Sequence, residues 1–339
     1  MWQRLFNTLL NRLVKTALWF YFSEIKVVGN WKSLKNKPTL IISNHQNALL
    51  DALLIATYID LKPYFLARAS VFKNPLIAKI LAFIRMVPVY RIRDGFGTIT
   101  GNNKSFALCR SILKGNGKIL IFPEGNHSLK RQVRPLSKGF TRIVTATLKD
   151  DPSFNLNILP IGINYQAHQK SGSKVLLEIG APIPAKKYLG EERKLVNTSK
   201  EKLKSLTLHL PEKNYNDSIK HILQSGLDIT KVRGQERLNS KGKLKSGYRW
   251  KNRLFKAFHF PLWLIWKWIK LKVKDRVFYG TIKFCIGLVG IPLYYLGLFI
   301  LFSKFFSTTI AFLVILLLLL VLKINRNYYN INEEKLIKY

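Results

Sequence analysis

The sequence predicts an α/β domain in which helices cover a sheet, with an interfacial helix before it and a transmembrane hairpin after it. Strand and helix signals alternate between Glu24 and about Leu210, which is typical of this fold class. Two nearly uncharged apolar runs, residues 284–303 and 305–322, each come close to the ~20 residues that cross a bilayer. The 56 Lys and Arg residues against 18 Asp and Glu give a formal net charge of +38. Such a chain attracts nucleic acid or anionic lipid headgroups, and the apolar runs favour lipid.

We divide the 339 residues into five segments. They are an amphipathic interfacial helix (1–23), the α/β domain (24–210), a basic connector with an interfacial part (211–276), the transmembrane hairpin (277–324) and a cytoplasmic tail (325–339). The two cysteines, Cys109 and Cys285, have the spacing of neither a metal site nor a redox motif, which excludes a disulfide framework.

Apolar residues follow helical spacing from Trp2 to Tyr21, with Arg4, Arg12 and Lys15 among them. We expect this helix to lie in a membrane interface, with its cations at the headgroups and its aromatic rings at the acyl boundary. The alternative is a soluble amphipathic helix packed on the core. Because the same cations interrupt the apolar stretch, we expect no cleavable signal peptide and a domain that stays in the cytoplasm.

Within the α/β domain, short apolar runs predict strands and longer amphipathic runs predict helices. The predicted strands are Ile25 to Val28, Leu40 to Ile42, Lys118 to Phe122, Ile158 to Ile163 and Val175 to Ile179. The predicted helices are Ala48 to Ile59, Pro75 to Phe83, Asn103 to Leu113, Gly139 to Leu148 and Glu191 to Leu208.

The basic connector carries ten Lys or Arg and one acidic residue over residues 231–256, and Gly234, Gly242 and Gly247 interrupt any long helix there. It is predicted to be an exposed segment that is either a solvated loop or a headgroup contact. The Trp-rich stretch from Phe255 to Ile269 is predicted to be interfacial.

The two apolar runs are predicted to form the hairpin. Basic residues precede and follow them, whereas Lys304 alone lies between them, so both ends face the cytoplasm and Lys304 lies near the far surface. The expected location is the inner (cytoplasmic) membrane, with the α/β domain on its cytoplasmic side. A re-entrant or surface-lying pair is the alternative, favoured by Gly287, Gly290 and Pro292.

Two motifs directly follow predicted strands and carry chemistry. The first, residues 44–51, contains His45 and Asp51, an imidazole and a carboxylate that can take a proton from an alcohol and stabilise the imidazolium. The second, residues 122–128, contains Glu124 and Gly125 after a Pro, a combination that forces extended backbone and then permits a tight turn.

Together these motifs resemble those of the glycerolipid acyltransferase family, in particular its bacterial lysophosphatidate (1-acylglycerol-3-phosphate) acyltransferases. The resemblance implies a mixed sheet flanked by helices and transfer of an acyl group from a thioester to a glycerophosphate hydroxyl. His45 would be the general base and Asp51 its partner. The family usually has four residues between the two, whereas five intervene here, so the pair meets only if Gln46 and Asn47 form a non-helical loop. We expect such a loop, with Asn47 capping a helix that starts at Ala48; the alternative is that Asp51 only complements the helix dipole.

The resemblance also implies the acceptor-binding residues. Arg91, or else Arg93, corresponds to the arginine that grips the acceptor phosphate, which suits the bidentate guanidinium. Glu124 and Gly125 would position the glycerol part, and Lys138 would add a phosphate contact. Residues 158–161 resemble a fourth, structural block. Asn126-His127-Ser128 departs from the family's usual Thr-Arg-Ser, which puts the acceptor preference in question.

The expected activity is therefore acyl transfer from acyl-CoA or acyl carrier protein, as co-substrate, to lysophosphatidate in phospholipid synthesis. Alternative acceptors are glycerol 3-phosphate and an amino-acid lysolipid. No metal, resident cofactor or nucleic-acid partner is expected; membrane lipids are the expected partners, and the oligomeric state is open. A membrane-tethered polyanion-binding protein is an alternative of another class, motivated by the aromatic residues among the cations of residues 241–256. An inactive scaffold, supported only by the wider His–Asp spacing, is the third.

Overall fold

The computed structural model describes residues 2–90, 98–232 and 249–326. Its sheet has eight strands in the order β1-β7-β6-β2-β5-β3-β4, and the short β8 also pairs with β6. The strands are β1 (Glu24–Val28), β2 (Thr39–Ser43), β3 (Tyr64–Arg68), β4 (Met86–Val89), β5 (Lys118–Ile121), β6 (Asn157–Tyr165), β7 (Lys174–Ile179) and β8 (Ile183–Pro184).

Helices surround this sheet and then extend from it. They are α1 (Trp2–Tyr21), α2 (Leu49–Tyr58), α3 (Pro75–Phe83), α4 (Thr98–Lys114), α5 (Gly139–Asp150), α6 (Glu192–Leu206), α7 (Tyr215–Ser225), α8 (Arg249–Phe258), α9 (Phe260–Lys272), α10 (Phe278–Phe305) and α11 (Thr308–Arg326).

The mixed sheet that the resemblance implied is confirmed. Most neighbouring strands run parallel, whereas β6 pairs antiparallel with β7 and with β8. The predicted strands all form, with ends that differ by one or two residues. Strands β3, β4 and β8 were not predicted. Since β4 contains Pro88 and β8 has only two residues, neither of these two gives a periodic apolar signal.

The core has two main parts, one on each face of the sheet, and a smaller third cluster around α7. One part joins α1 and α2 to inward residues such as Ile41, and it includes Phe284 from the start of α10. The other joins α4, α5 and α6 to the alternate residues Leu40 and Ile42. This alternation along β2 is what a strand covered on both faces requires.

Helix α1 packs on the core through Val14 and Leu18, as the second interpretation of its sequence expected. Its opposite face leaves large apolar side chains such as Trp2 and Leu5 exposed. The interfacial role of that exposed face stays a prediction.

The predicted C-terminal hairpin is present as two apolar helices, α10 and α11, which are long enough to cross a membrane and indicate membrane association. A π-helical turn, Ile286–Gly290, interrupts α10 at the glycines noted in the sequence. Helices α7, α8 and α9 form where the connector was predicted, whereas Gly234, Gly242 and Gly247 lie outside the described residues.

Helix α9 packs beside the first half of α10 and runs antiparallel to it. The Trp266 ring lies 5.5 Å from that of Tyr279, near the start of α10, and the His259 Nε2 lies 2.8 Å from the Tyr295 hydroxyl, farther along. The Trp-rich segment is therefore a helix attached to α10, which periodicity alone did not reveal.

Candidate active site

The register of three strands brings the two motifs together. Strand β2 lies between β5 and β6 and is parallel to both, with Ile42 opposite Ile121 and Ser43 opposite Ile161. The loops that follow β2 and β5 therefore leave the same edge of the sheet. Because β6 extends four residues beyond this level, its last residue, Tyr165, reaches the same edge.

His45 and Asp51 meet there despite the wider spacing. The His45 Nδ1 lies 2.8 Å from the Asp51 Oδ2, and α2 begins only at Leu49, so the backbone between them is not helical. Since an ionised carboxylate only accepts, Nδ1 carries the proton and Nε2 is the nitrogen that can receive another. The His45 ring stacks on Phe122 with centroids 4.1 Å apart, and 18% of its side chain is exposed.

The Asp51 carboxylate is fully buried and is held by four donors. Its Oδ2 accepts the backbone N–H groups of Gln46 and Asn47, both at 2.8 Å, besides the His45 ring. Its Oδ1 accepts the Tyr165 hydroxyl at 2.6 Å. Four donors favour the charged carboxylate, which a buried partner of an imidazolium needs.

Sequence reasoning missed Tyr165. Burial, with the nearby Asp51 carboxylate, holds the pKa of its hydroxyl well above the ordinary value, so the group stays a donor. The available signal was its position at the carboxyl end of the strand next to β2. That position could be found only by pairing β6 with β2, which the sequence does not specify.

The predicted Asn47 cap is wrong. The residue before α2 is Ala48, in a left-handed conformation (φ 45°), and no side chain caps the helix there. The Asn47 amide instead donates to the His168 carbonyl at 2.7 Å, while Asp51 accepts the backbone N–H groups of the loop. The carboxylate thus organises the loop that the asparagine was expected to organise.

A second layer supports this loop from behind. The buried His168 donates from Nε2 to the Gln46 Oε1 at 3.1 Å, and Gln46 in turn donates to the Lys130 carbonyl. Burial, with the nearby Arg131 guanidinium, lowers the pKa of His168 well below its ordinary value, so its ring is neutral.

Glu124 is buried and bonded to protein groups. Its Oε2 accepts hydrogen bonds from the backbone N–H of His45, at 3.4 Å, and from the Arg134 guanidinium. Its Oε1 accepts the backbone N–H of Arg134 at 3.3 Å. Burial raises the pKa of Glu124, and the adjacent Arg134 opposes that rise. Gly125 has φ +74°, which a glycine adopts without strain, and its N–H closes the turn on the Phe122 carbonyl. Sequence reasoning missed Arg134, because a basic residue ten positions downstream had no distinctive pattern.

His127 lies beside His45 and contacts the C-terminal helices. Its ring is 5.7 Å from the His45 ring and 4.7 Å from Phe278, and its Nε2 is 3.3 Å from the Asp275 Oδ2. Burial is the main cause that lowers the pKa of His127, and the neighbouring His45 adds to it. The segment before α10 therefore forms one wall of the site, a contribution from distant sequence that no motif indicated.

The start of α10 also rests on the loop of the first motif. The Thr281 hydroxyl donates to the Asn47 carbonyl at 3.3 Å, and a side chain at Gly280 would come within 2.6 Å of the Asn47 Oδ1. Only a glycine allows this close approach.

Of the predicted phosphate-binding residues, Lys138 is the one that the structure describes. Arg91 and Arg93 lie outside the described residues. The strand before them, β4, is parallel to β3, and two hydrogen bonds to the Asn102 side chain fix the backbone of Tyr90. Lys138 is exposed immediately before α5 and next to Ser137, whose N–H donates to the Pro123 carbonyl.

A cavity of about 710 Å³ lies between α1 and α2. Leu49, the residue that begins α2 after the loop of the first motif, lines the cavity together with apolar residues such as Leu53 and Phe65. Cations including Arg12 and Arg85 line it as well. An apolar cavity with cations suits an amphiphilic anion.

Chemically, the arrangement is an imidazole held by a buried, fully bonded carboxylate, with a second nitrogen left to take a proton. This is the arrangement of a general base that activates a hydroxyl. Across residues 2–90, 98–232 and 249–326, no group of three or more His, Cys, Asp or Glu side chains could hold a metal ion.

Comparisons with known proteins find similarity to acyltransferases. The model of the acyltransferase family matches residues 24–164. An uncharacterised acyltransferase of Schizosaccharomyces pombe is 34% identical over 74 residues, 22% of this chain and 11% of that protein. Glycerol-3-phosphate O-acyltransferase 1 of Saccharomyces cerevisiae is 31% identical over 94 residues, 28% of this chain and 12% of that protein. The chain thus spans only 11–12% of the length of these two relatives.

Among solved structures, the 1-acyl-sn-glycerophosphate (LPA) acyltransferase PlsC from Thermotoga maritima is similar with a TM-score of 0.45 and 19% identity. The similarity covers 59% of this chain and 78% of that chain.

Proposed function

We propose that the protein transfers a fatty acyl group from an acyl thioester to the hydroxyl of a lysophosphatidate, because the acyltransferase family model matches residues 24–164 and the motifs there resemble those of glycerolipid acyltransferases. The observation that carries the proposal is the 2.8 Å contact between His45 Nδ1 and the buried Asp51 carboxylate. This contact leaves Nε2 as the proton acceptor and stabilises the imidazolium that forms.

The reaction needs no covalent acyl-enzyme. His45 takes the hydroxyl proton as the acceptor oxygen attacks the thioester carbonyl carbon. The tetrahedral intermediate then collapses, the carbon–sulfur bond breaks, and the imidazolium returns the proton to the leaving thiolate. The donor is acyl-CoA or acyl carrier protein.

Lysophosphatidate is the favoured acceptor because it matches the surroundings of the site. The cavity beside α2 combines apolar and cationic lining, as a lipid with one acyl chain and a phosphate requires. The helices α10 and α11 would keep the enzyme in the membrane where such a lipid resides, with the α/β domain on the cytoplasmic face of the inner membrane. Arg91, or else Arg93, would hold the phosphate, with Lys138 as a further contact.

Glycerol 3-phosphate is the second candidate acceptor, because one of the relatives above is a glycerol-3-phosphate O-acyltransferase. His127 stands where the family usually has an arginine, so an amino-acid lysolipid is a third candidate acceptor.

The test is transfer of a labelled acyl group from acyl-CoA and from acyl carrier protein to lysophosphatidate and to glycerol 3-phosphate. His45→Ala should lower the rate by roughly 10²- to 10⁴-fold, the usual contribution of a general base. The matched control is His221→Ala, since His221 is exposed on α7 and should leave the rate unchanged. Full activity in His45→Ala would refute the assigned base, and no transfer to either acceptor would move the amino-acid lysolipids and the polyanion-binding alternative to the front.

A further inference from the structure

Helix α3 turns its apolar residues toward solvent. Leu76, Ile77, Ile80 and Phe83 are all exposed, Leu76 by 68%, and no residue of α3 is buried. At 100° per residue they occupy an arc of roughly 120° on the helix. An apolar stripe of this width normally packs on the core of a globular protein, so its exposure here indicates a partner.

The stripe is held in a fixed position. The Asn74 side chain caps α3 by accepting the N–H groups of Leu76 and Ile77, at 2.9 and 3.2 Å. At the other end, the amides of Gln3 and Asn7 on α1 donate to the Phe83 carbonyl, at 2.9 and 3.2 Å. The exposed face is therefore a formed surface that α1 supports directly.

Helix α1 continues the same surface. Its outward apolar side chains fall within an arc of roughly 100°, opposite to the face that packs on the core. They are Trp2, Leu5, Phe6, Leu9 and Leu13. The Phe6 and Phe83 rings, one from each helix, touch with centroids 5.3 Å apart. The two exposed stripes thus join at these rings into one apolar area, the α1–α3 surface.

The other end of α1 meets the base of the apolar hairpin. The Tyr21 ring lies 5.7 Å from Phe284 of α10, and Arg326 at the end of α11 donates to the Phe22 carbonyl at 3.0 Å. With a length of about 30 Å for twenty residues, α1 connects the helices that fit a bilayer to the exposed stripe of α3. The surface is therefore continuous with the membrane-associated part of the protein.

The positive charge around the α1–α3 surface indicates what covers it. Lys73 and Lys79 are exposed beside the α3 stripe, Arg4 and Arg12 are exposed on α1, and the whole chain carries an excess of +38. Cations that flank an apolar stripe are the arrangement that binds an anionic lipid surface, because the apolar side chains enter the acyl boundary while the cations stay at the headgroups.

We propose that the α1–α3 surface lies in a monolayer of anionic lipid, with α3 as a second interfacial helix beside α1. The sequence analysis treated α3 as a helix that covers the sheet, so this contact is new. It does not depend on the acyl-transfer reaction, and it would stand if the proposed acceptor were wrong.

The experiment measures the lipid exposure of α3 in the full-length chain. In a Cys109→Ala, Cys285→Ala background, Ile80→Cys is labelled with the fluorophore NBD and reconstituted into vesicles of phosphatidylcholine and phosphatidylglycerol that contain doxyl-labelled lipid. The matched control is Leu108→Cys on α4, because the exposure of Leu108, 48%, is close to the 54% of Ile80. Leu76→Cys is the substitute if Ile80→Cys does not fold.

The expected result is a blue shift of NBD emission and quenching by doxyl lipid at position 80 but not at position 108. Since interfacial helices insert about 5–10 Å, a doxyl group near the headgroup should quench more than one at the end of the acyl chain. Omitting phosphatidylglycerol should weaken the quenching. Equal quenching at the two positions would overturn the proposal. Disulfide cross-linking between the introduced cysteines of two chains, without quenching by lipid, would also overturn it, because a second copy of the chain would then cover the surface.

Discussion

Removing the Tyr165 hydroxyl tests whether the bonded Asp51 carboxylate is the basis of the site. Tyr165→Phe keeps the buried ring and deletes the 2.6 Å bond to Oδ1, while the donors to Oδ2 remain. A hydrogen bond to a charged group contributes about 1.5–3 kcal/mol, so we expect a loss of about 2 kcal/mol in unfolding free energy. For a domain of this size that loss lowers the melting temperature by about 4–8 °C.

The catalytic effect should be smaller, because Oδ2 still holds the His45 ring. We expect the transfer rate to fall by less than about tenfold, far less than in His45→Ala.

Thermal unfolding followed by tryptophan fluorescence measures the loss of stability, and acyl-transfer rates at a fixed pH measure the catalytic effect. Tyr21→Phe is the comparison, because the Tyr21 hydroxyl donates to a neutral acceptor, the Gly280 carbonyl, at 3.2 Å. That variant should lose only about 1 kcal/mol in unfolding free energy and keep the transfer rate of the wild type. If Tyr165→Phe unfolds and reacts like the wild type, the hydrogen bond to Asp51 does not organise the site.

Three further predictions concern the supports of the catalytic loop. Gly280→Ala should lower both the melting temperature and the transfer rate, because its Cβ would meet the loop at 2.6 Å, whereas Gly297→Ala, with nothing within 4 Å, should change neither. His168→Gln should reduce the dependence of the unfolding free energy on pH below about pH 6.5. The pKa of His168 is lowered in the folded protein, so the unfolded chain takes the proton first. The wild type should therefore lose up to about 1.4 kcal/mol per pH unit as the pH falls below about 6.5. Urea titrations at several pH values that give parallel curves would contradict this. Arg134→Gln should cost about 3–5 kcal/mol, because it leaves the buried Glu124 carboxylate without its cation, and adding Glu124→Gln in a double-mutant cycle should recover much of that loss.

The sequence predicted the elements of the fold well where burial produces a periodic pattern. Strands such as β2 and helices such as α5 were found with nearly correct ends, because apolar spacing depends on local burial. The same rule misled the interpretation of α3, since an apolar stripe indicates a covered face but does not say whether protein or lipid covers it. Strand β4 was missed because Pro88 is atypical of strands.

The site was predictable as far as its chemistry is local in sequence. His45 and Asp51 could be paired because a short loop joins them, and the non-helical conformation of that loop was inferred from the extra residue. Tyr165 and Arg134 were not predictable, since each reaches the loop only through strand register or through a turn. Asp275 was the hardest of these residues to predict, because its contact with His127 depends on how the C-terminal helices dock on the α/β domain.

The docking of α10 on the Asn47 loop also sets the order in which the protein can become complete during synthesis. The ribosome adds about 5–20 residues per second, so roughly 5–20 s separate the emergence of Pro184, the end of β8, from that of Thr281. Throughout this interval the sheet can form, but the loop between His45 and Asp51 lacks the helix that contacts it at Asn47. A nascent chain therefore gains this support of the loop only when α10 emerges, after the strands of the sheet.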